Sequence, residues 1–333
     1  MGRWRRSALA LGMVFWAYAG LAAAAAAEAA SAAEAAPVSA ADVTGPPPAA
    51  ASEVPAKPQE VRVGIYVLSM GKLDVTTGSF TMDFYMSLKS DRPVPESFEF
   101  LNGRAASVDK TVDEPNEKFY RILANLSSPI NFRRFPFDAQ QLQVILEDKQ
   151  KVAGELVYVP DLEETGLDES VEFPGWQVTG WNATAAKHRY TAYKEDYSQY
   201  VLNVGIQRIK MNSFIKTFLP VLFLMLITVS SFILNPDQIV TRLATISSSL
   251  VASAMFHISI AGQIPPVSYL TFADKFMMLT YFVLLVSFFL NIAIFVFQGK
   301  GRKEGAQKMH RWSERLMFAG VPLLYCLLFL TAA

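Results

Sequence analysis

Cysteine is almost missing from this chain of 333 residues: the single one, Cys326, lies inside a long apolar run. No intrachain disulfide can form, and the residue reads as a small buried hydrophobe. Histidine is nearly as scarce. His188, His257 and His310 stand far apart, with no spacing that could gather a metal. A glycine-rich phosphate loop and a nucleophile elbow are both missing. Nothing in the pattern calls for a cofactor or an enzyme. Formal net charge is also absent, at zero, and residues 59–210 carry 17 basic against 22 acidic residues, a balance of −5 that argues against a nucleic-acid partner.

What the chain has in quantity is apolar length, nearly all of it after Met211. Four segments are long enough to cross a bilayer as helices: Met211–Leu234, Leu243–Pro266, Phe276–Phe297 and Leu316–Ala333. The second is unlike the others. It has no Asp, Glu, Lys or Arg, yet Thr245, Ser247, Ser248, Ser249, Ser253 and Ser259 recur along it. At helical spacing Ala244, Ser248, Val251, Met255 and Ile258 share one face, small and polar at the Arg242 end and apolar at the Pro265 end. Several copies around an axis would make a wet neck below a hydrophobic constriction able to gate by dewetting. The plainer alternative is that small and hydroxyl side chains let this helix pack on its neighbours.

The N-terminal part reads in three pieces. Residues 1–27 have a basic start, an apolar centre and a run of alanines, the layout of a cleavable signal peptide. Residues 28–58 are rich in Ala and Pro and read as a disordered linker. Residues 59–210 then show short β-rich runs: Val61–Leu68, Ser79–Leu88, Phe119–Leu126, Gln141–Leu146, Leu156–Val159, Trp176–Thr184 and Tyr197–Arg208. Such runs without intervening helices predict an antiparallel, immunoglobulin-like β-sandwich outside the membrane. Residues 211–333 form the transmembrane bundle. The stretch Gln298–Arg315 carries six basic residues against two acids and predicts a cytoplasmic loop. Four spans then put the β-domain and the C-terminus outside, in agreement with the signal peptide.

At the centre of the β-domain stands Ser127-Ser128-Pro129-Ile130-Asn131-Phe132-Arg133-Arg134-Phe135-Pro136-Phe137-Asp138-Ala139-Gln140. With this motif, followed after some seventy residues by a first membrane helix, the chain resembles the pentameric ligand-gated ion channels, the Cys-loop receptor superfamily, and above all its bacterial members. The places of the two cysteines that close this loop in vertebrate members fall at Ser128 and Leu142. The resemblance covers nearly all of Val61 to Ala333. It implies a homopentamer whose second helix lines a pore for inorganic ions, set in membrane lipid and opened by a small-molecule or proton agonist. By the same analogy Asp138 pairs with Arg208, Asp74 is a second acid near that arginine, and Phe135, Pro136, Phe137 and Pro265 belong to the coupling between domain and gate.

One departure bears on the agonist. Between Asp91 and Ser127 the chain is short and lacks the Trp-x-Pro element that supplies one wall of the family's pocket. The remaining aromatic signal is Trp181, Tyr190, Tyr193, Tyr197 and Tyr200 around a hairpin tip near Ala192, rings that can cage a cation or simply pack on a sheet. The acidic outer domain leans toward small cations as the permeant species. The reading is therefore a bacterial channel in the inner (plasma) membrane with its N-terminal domain in the periplasm. The alternative is a non-conducting, membrane-anchored periplasmic sensor of the same fold.

Overall fold

The computed structural model describes residues 57–331; the proposed signal peptide and all but the end of the linker lie outside them. Ten strands come first: β1 (Gln59–Met70), β2 (Ser79–Lys89), β3 (Phe98–Phe100), β4 (Gly103–Asp113), β5 (Glu117–Ser127), β6 (Ala139–Asp148), β7 (Leu156–Pro160), β8 (Gly166–Leu167), β9 (Trp176–Tyr190) and β10 (Glu195–Arg208). One sheet runs β4-β5-β2-β1-β7, with β8 also on β1, and the other runs β3-β6-β10-β9. Alternation explains the layering. In β5, Lys118, Tyr120, Ile122, Ala124 and Leu126 are buried while Arg121, Leu123 and Asn125 face out. The inward residues of both sheets, among them Val63, Ile65, Phe84, Met86, Ile122, Val144, Tyr200 and Leu202, form one core.

The sheets are not wholly antiparallel: β7 and β8 pair with β1 in parallel. Two strands also arise where the sequence shows charge and turn residues. β3 and β4 occupy the stretch Phe98–Asp113, and β4 is an edge strand bulged at Ala105/Ser107 and again at Lys110/Val112. An edge strand with two bulges buries little, so it leaves almost no alternation to read.

Helices follow: α1 (Lys210–Thr217), α2 (Leu219–Ser230) continued by a 3-10 turn at Ser231–Ile233, α3 (Ile239–Ala261), α4 (Phe272–Gly299), α5 (Lys303–Arg315) and α6 (Val321–Leu330). The first span is therefore a broken one, with a 47° bend between Lys210–Thr217 and Leu219–Ile233. Pro220, near the N-terminus of α2, gives the cause: it has no N–H for the ladder and its ring displaces the preceding turn. The basic stretch after α4 is also helical rather than a loop. From Lys303 the chain runs through a π-turn at Leu316–Gly320 to Leu330 as one 28-residue helix. Among the described residues three helices are long and apolar enough to cross a membrane, and the bent pair makes up to four. Cys326 is exposed on α6 rather than buried; Val321 and Tyr325 take the packed side.

Candidate functional site

Three places carry the candidate chemistry. The first is the seam between the sandwich and the helices. The loop after β5 places Phe132 and Phe135 in a buried cluster with Phe218, Phe272 and Phe276. Phe137 lies 5.6 Å from the Phe218 ring and 5.8 Å from Phe272. The loop also meets the helix start through its backbone. The carbonyls of Arg133 and Phe135 accept from the amides of Phe272 and Ala273, each at 3.0 Å. These are among the first N–H groups of α4, which have no partner within the helix, so the β-domain loop caps it. Thr271 and Asp274 complete a capping box at the same end. The Phe132 amide donates to Tyr269 Oη at 3.0 Å, and Arg133 stacks 5.2 Å above the Tyr269 ring. Pro265 lies in the α3–α4 linker, beside a cavity of about 380 Å³ that also borders Ile264, Tyr269 and Asp274.

Asp138, at the end of this loop, is 1% exposed. Its carboxylate accepts from Arg208 Nε at 2.7 Å and from Gln140 Nε2 at 2.6 Å. The guanidinium is held between aromatic faces, 4.4 Å from the Trp176 ring and 5.2 Å from Phe135. Asp74 does not share this arginine. It accepts from the Thr76 amide and the Thr77 hydroxyl, each at 2.9 Å, and so closes its own β1–β2 turn. That turn reaches the loop by another route: the Ser128 amide donates to the Gly78 carbonyl at 3.0 Å. Gly78 has φ +72°, and a Cβ there would stand 2.2 Å from the Ser128 carbonyl, so glycine is required. Ser128 Oγ accepts from the Gln143 amide at 2.9 Å and closes the loop without a covalent bond.

The second place is α3. Ile239, Arg242, Ile246, Ser249, Ser253 and Ile260 are buried against the other helices. On the opposite side Ala244, Ser248, Val251, Met255 and Ile258 are exposed, the last three at 65%, 65% and 70%. At 100° per residue these five occupy the middle of the uncovered arc, which also holds Thr241, Ser247 and Ser259. Leu250 lies at the edge of that arc, 44% exposed, and not in the packed interior. His257, half-buried on the flank, ties α3 to α4: Nδ1 is 3.1 Å from Tyr281 Oη and Nε2 is 3.4 Å from Asp274 Oδ1.

The third place is the β9–β10 hairpin tip. Tyr190 lies 6.4 Å from Tyr193 and 5.4 Å, edge to face, from Tyr197. Trp181 is not with them. It pairs with Val204, whereas Tyr190 pairs with Glu195, nine residues further along β9. At ~3.3 Å per residue that is ~30 Å away, and Trp181 packs on the sandwich core. Tyr190 reaches Glu147 of β6, 2% exposed, whereas the Tyr197 hydroxyl donates to Glu195 at 3.1 Å and Tyr193 is exposed. The Glu147 carboxylate accepts from Tyr190 Oη at 3.0 Å and Gln199 Nε2 at 2.9 Å, and lies 3.2 Å from His188 Nδ1. Burial and the bond to Glu147 push the Tyr190 hydroxyl up to about 12. The sequence shows Glu147 only as one more polar position on the outer face of β6, with Gln141 and Gln143, so nothing local marks it. Among the described residues no group of three or more His, Cys, Asp or Glu side chains is placed to hold a metal ion.

No family model matches the chain. A proton-gated ion channel of Gloeobacter violaceus is 26% identical to it over 278 residues, spanning 75% of this chain and 76% of that protein. The chain is similar to this ion channel over three quarters of its length.

Proposed function

We propose that the protein is a homopentameric ligand-gated ion channel of the bacterial type, with α3 lining a pore for small cations. The observation that carries this reading is the uncovered arc of α3. Lipid selects apolar side chains on an exposed helix face, because a hydroxyl or backbone polar group has no partner in hydrocarbon. Yet Thr241, Ser247, Ser248 and Ser259 share this arc with Val251, Met255 and Ile258. Val251, Met255 and Ile258 make an apolar girdle between Ser247 and Ser248 below and Ser259 above, with Val240 and Thr241 at the lower end, and such a girdle suits a dewetting constriction in a wet pore. On this reading residues 59–210 form the agonist-binding domain in the periplasm and residues 211–333 the pore domain in the inner membrane. Asp138–Arg208 and the loop carbonyls on α4 carry the coupling between them.

The agonist is a proton or a small amine acting at the β9–β10 hairpin tip, where Tyr190 bonds the buried Glu147 carboxylate and Tyr193 and Tyr197 stand beside Tyr190. Aromatic faces attract cations, and the carboxylate supplies the counter-charge. Conduction by purified protein in planar bilayers, with reversal potentials in a salt gradient, tests the proposal. Cation current that appears on acidification or on addition of small amines supports it. Silence under all of these conditions leaves the sensor of the same fold in its place.

A further inference from the structure

The outer face of the sheet β3-β6-β10-β9 carries a trough of about 420 Å³ that belongs to none of the three places above. Strand register sets its walls. Gly205 of β10 pairs with Gln141 of β6 on one side and with Gly180 of β9 on the other, and Asn203 pairs with Gln143 and Asn182. Directly paired residues, and residues two apart on one strand, share a face, so these side chains stand together. The alternate residues Leu142, Leu202 and Val204 are buried in the core, which puts the trough on the outside. Thr179 is the extra residue of a bulge in β9, because Ile206 pairs with Val178 and Gly205 with Gly180.

Two glycines make the floor. A Cβ at Gly205 would stand 2.5 Å from Thr179 Oγ1 and 3.5 Å from Gln141 Nε2, so polar groups from two strands converge over bare backbone. Gly180, at φ +143°, has open space where its Cβ would be. Glycine inside a strand marks a bulge or a place where another group approaches the backbone closely, and both conditions hold here.

The walls are polar without being charged. The side chains of Gln141, Thr179 and Asn182 have no hydrogen-bond partner among the described residues. Asn203 Oδ1 accepts from Gln143 Nε2 at 2.8 Å, which leaves its Nδ2 free. Among the described residues no Asp, Glu, Lys or Arg borders the trough. A charged ligand would find no counter-ion there, and an apolar one would leave the amides unpaired. A carboxamide sets donors beside an acceptor, and a hydroxyl is both donor and acceptor. Neighbouring hydroxyls on a ring answer that pattern.

We propose that Gln141, Thr179, Asn182 and Asn203 form a binding site for an uncharged saccharide seated over Gly205. The trough has room for a mono- or disaccharide. Gln141 lies three residues after Asp138 and Gly205 three residues before Arg208, so a bound sugar bridges the two strands that lead to the buried ion pair. Recognition at this face needs only the folded β-domain, whether or not the chain passes ions.

Saturation-transfer NMR on the full-length protein, in a detergent without sugar headgroups, tests this with maltose and N-acetylglucosamine as probes. At least one of the two should receive magnetisation from the protein, while glucuronate and glucosamine, which carry charge, should receive much less. Gln141 and Asn182 are exposed, so changing both to Ala should leave the melting temperature in place. It should weaken binding at least about fivefold, since each hydrogen bond contributes ~2- to 13-fold. Thr179→Val removes one hydroxyl at nearly constant shape and should weaken binding about twofold or more. No transfer to either neutral sugar, equal transfer to the charged ones, or unchanged affinity in both variants would overturn the assignment.

Discussion

Removing the carboxylate of Asp138 is the sharpest perturbation the structure offers. Asp138 is 1% exposed and Arg208 about one-fifth exposed, with 2.7 Å between Nε and Oδ1. Asp138→Ala leaves a guanidinium without its counter-ion, and breaking a buried pair from one side costs ~3–5 kcal/mol. Two features hold the cost to the lower end, ~3 kcal/mol: Arg208 keeps some water, and the Trp176 face at 4.4 Å continues to attract the cation. Gln140 loses its 2.6 Å bond to Asp138 but keeps the one to the Asn131 carbonyl. A loss of ~3 kcal/mol lowers the unfolding midpoint of the solubilised protein by ~6–12 °C. It also shifts any equilibrium that breaks the pair by ~150-fold. A double-mutant cycle isolates the interaction. Arg208→Met fills the space between Phe135 and Trp176 without charge, so Asp138→Ala with Arg208→Met should recover at least ~1.5 kcal/mol relative to the summed single losses. Additivity of the two changes within ~0.5 kcal/mol would refute the pairing as an energetic unit. Exchanging the charges, Asp138→Arg with Arg208→Asp, should restore only part of the loss, because an aspartate at 208 cannot use the two aromatic faces.

Three other outcomes follow from the same geometry. Val251→Thr makes the proposed constriction wettable at nearly constant volume and should raise resting current or agonist sensitivity, whereas Ile246→Thr, at a site 1% exposed, should reduce yield instead; identical behaviour of the two variants removes α3 from the pore. Glu147→Gln keeps the shape of the tyrosine site but not its charge, so response to a cationic agonist should fall tenfold or more with folding intact, and an unchanged response excludes that site. Acid should loosen the β-domain. The Glu164 carboxyl is held below the usual carboxylate range by the hydrogen bond from Lys89 and then that from Ser87. Its folded pKa lies below its unfolded one, so its stabilisation is complete above pH ~4.5 and is lost as pH falls through the lowered value. Melting temperature against pH should therefore drop below pH ~4 in the wild type and drop less in Glu164→Gln; parallel curves would exclude this residue.

Local chemistry repeated at a fixed period was enough to determine several features of this protein. The spacing of Ala244, Ser248, Val251, Met255 and Ile258 specifies a helix face without reference to any other element, and that face is the one left uncovered in the folded chain. The apolar runs mark the membrane segments because a bilayer demands length, and the alternation in β2, β5 and β6 marks strands because one side of each must be buried. The motif from Ser128 to Gln140 identified the loop that meets the helices. Tertiary structure decided what depends on which distant residues meet. β3 and β4 exist because β6 and β5 offer them edges, and β7 runs parallel to β1 because the crossover delivers it that way. Asp74 turned to its own hairpin, where Thr76 and Thr77 supply donors at no cost in chain closure. Trp181 and Tyr190 share a strand, but nine residues of extended backbone separate them, and Glu147 came to the tyrosines through the β6–β10–β9 register. A period is written in neighbouring residues, whereas a register is a sum over every pairing in the sheet. The apolar helices and the candidate pore face were therefore legible at once, while the buried carboxylate bound to Tyr190 was not.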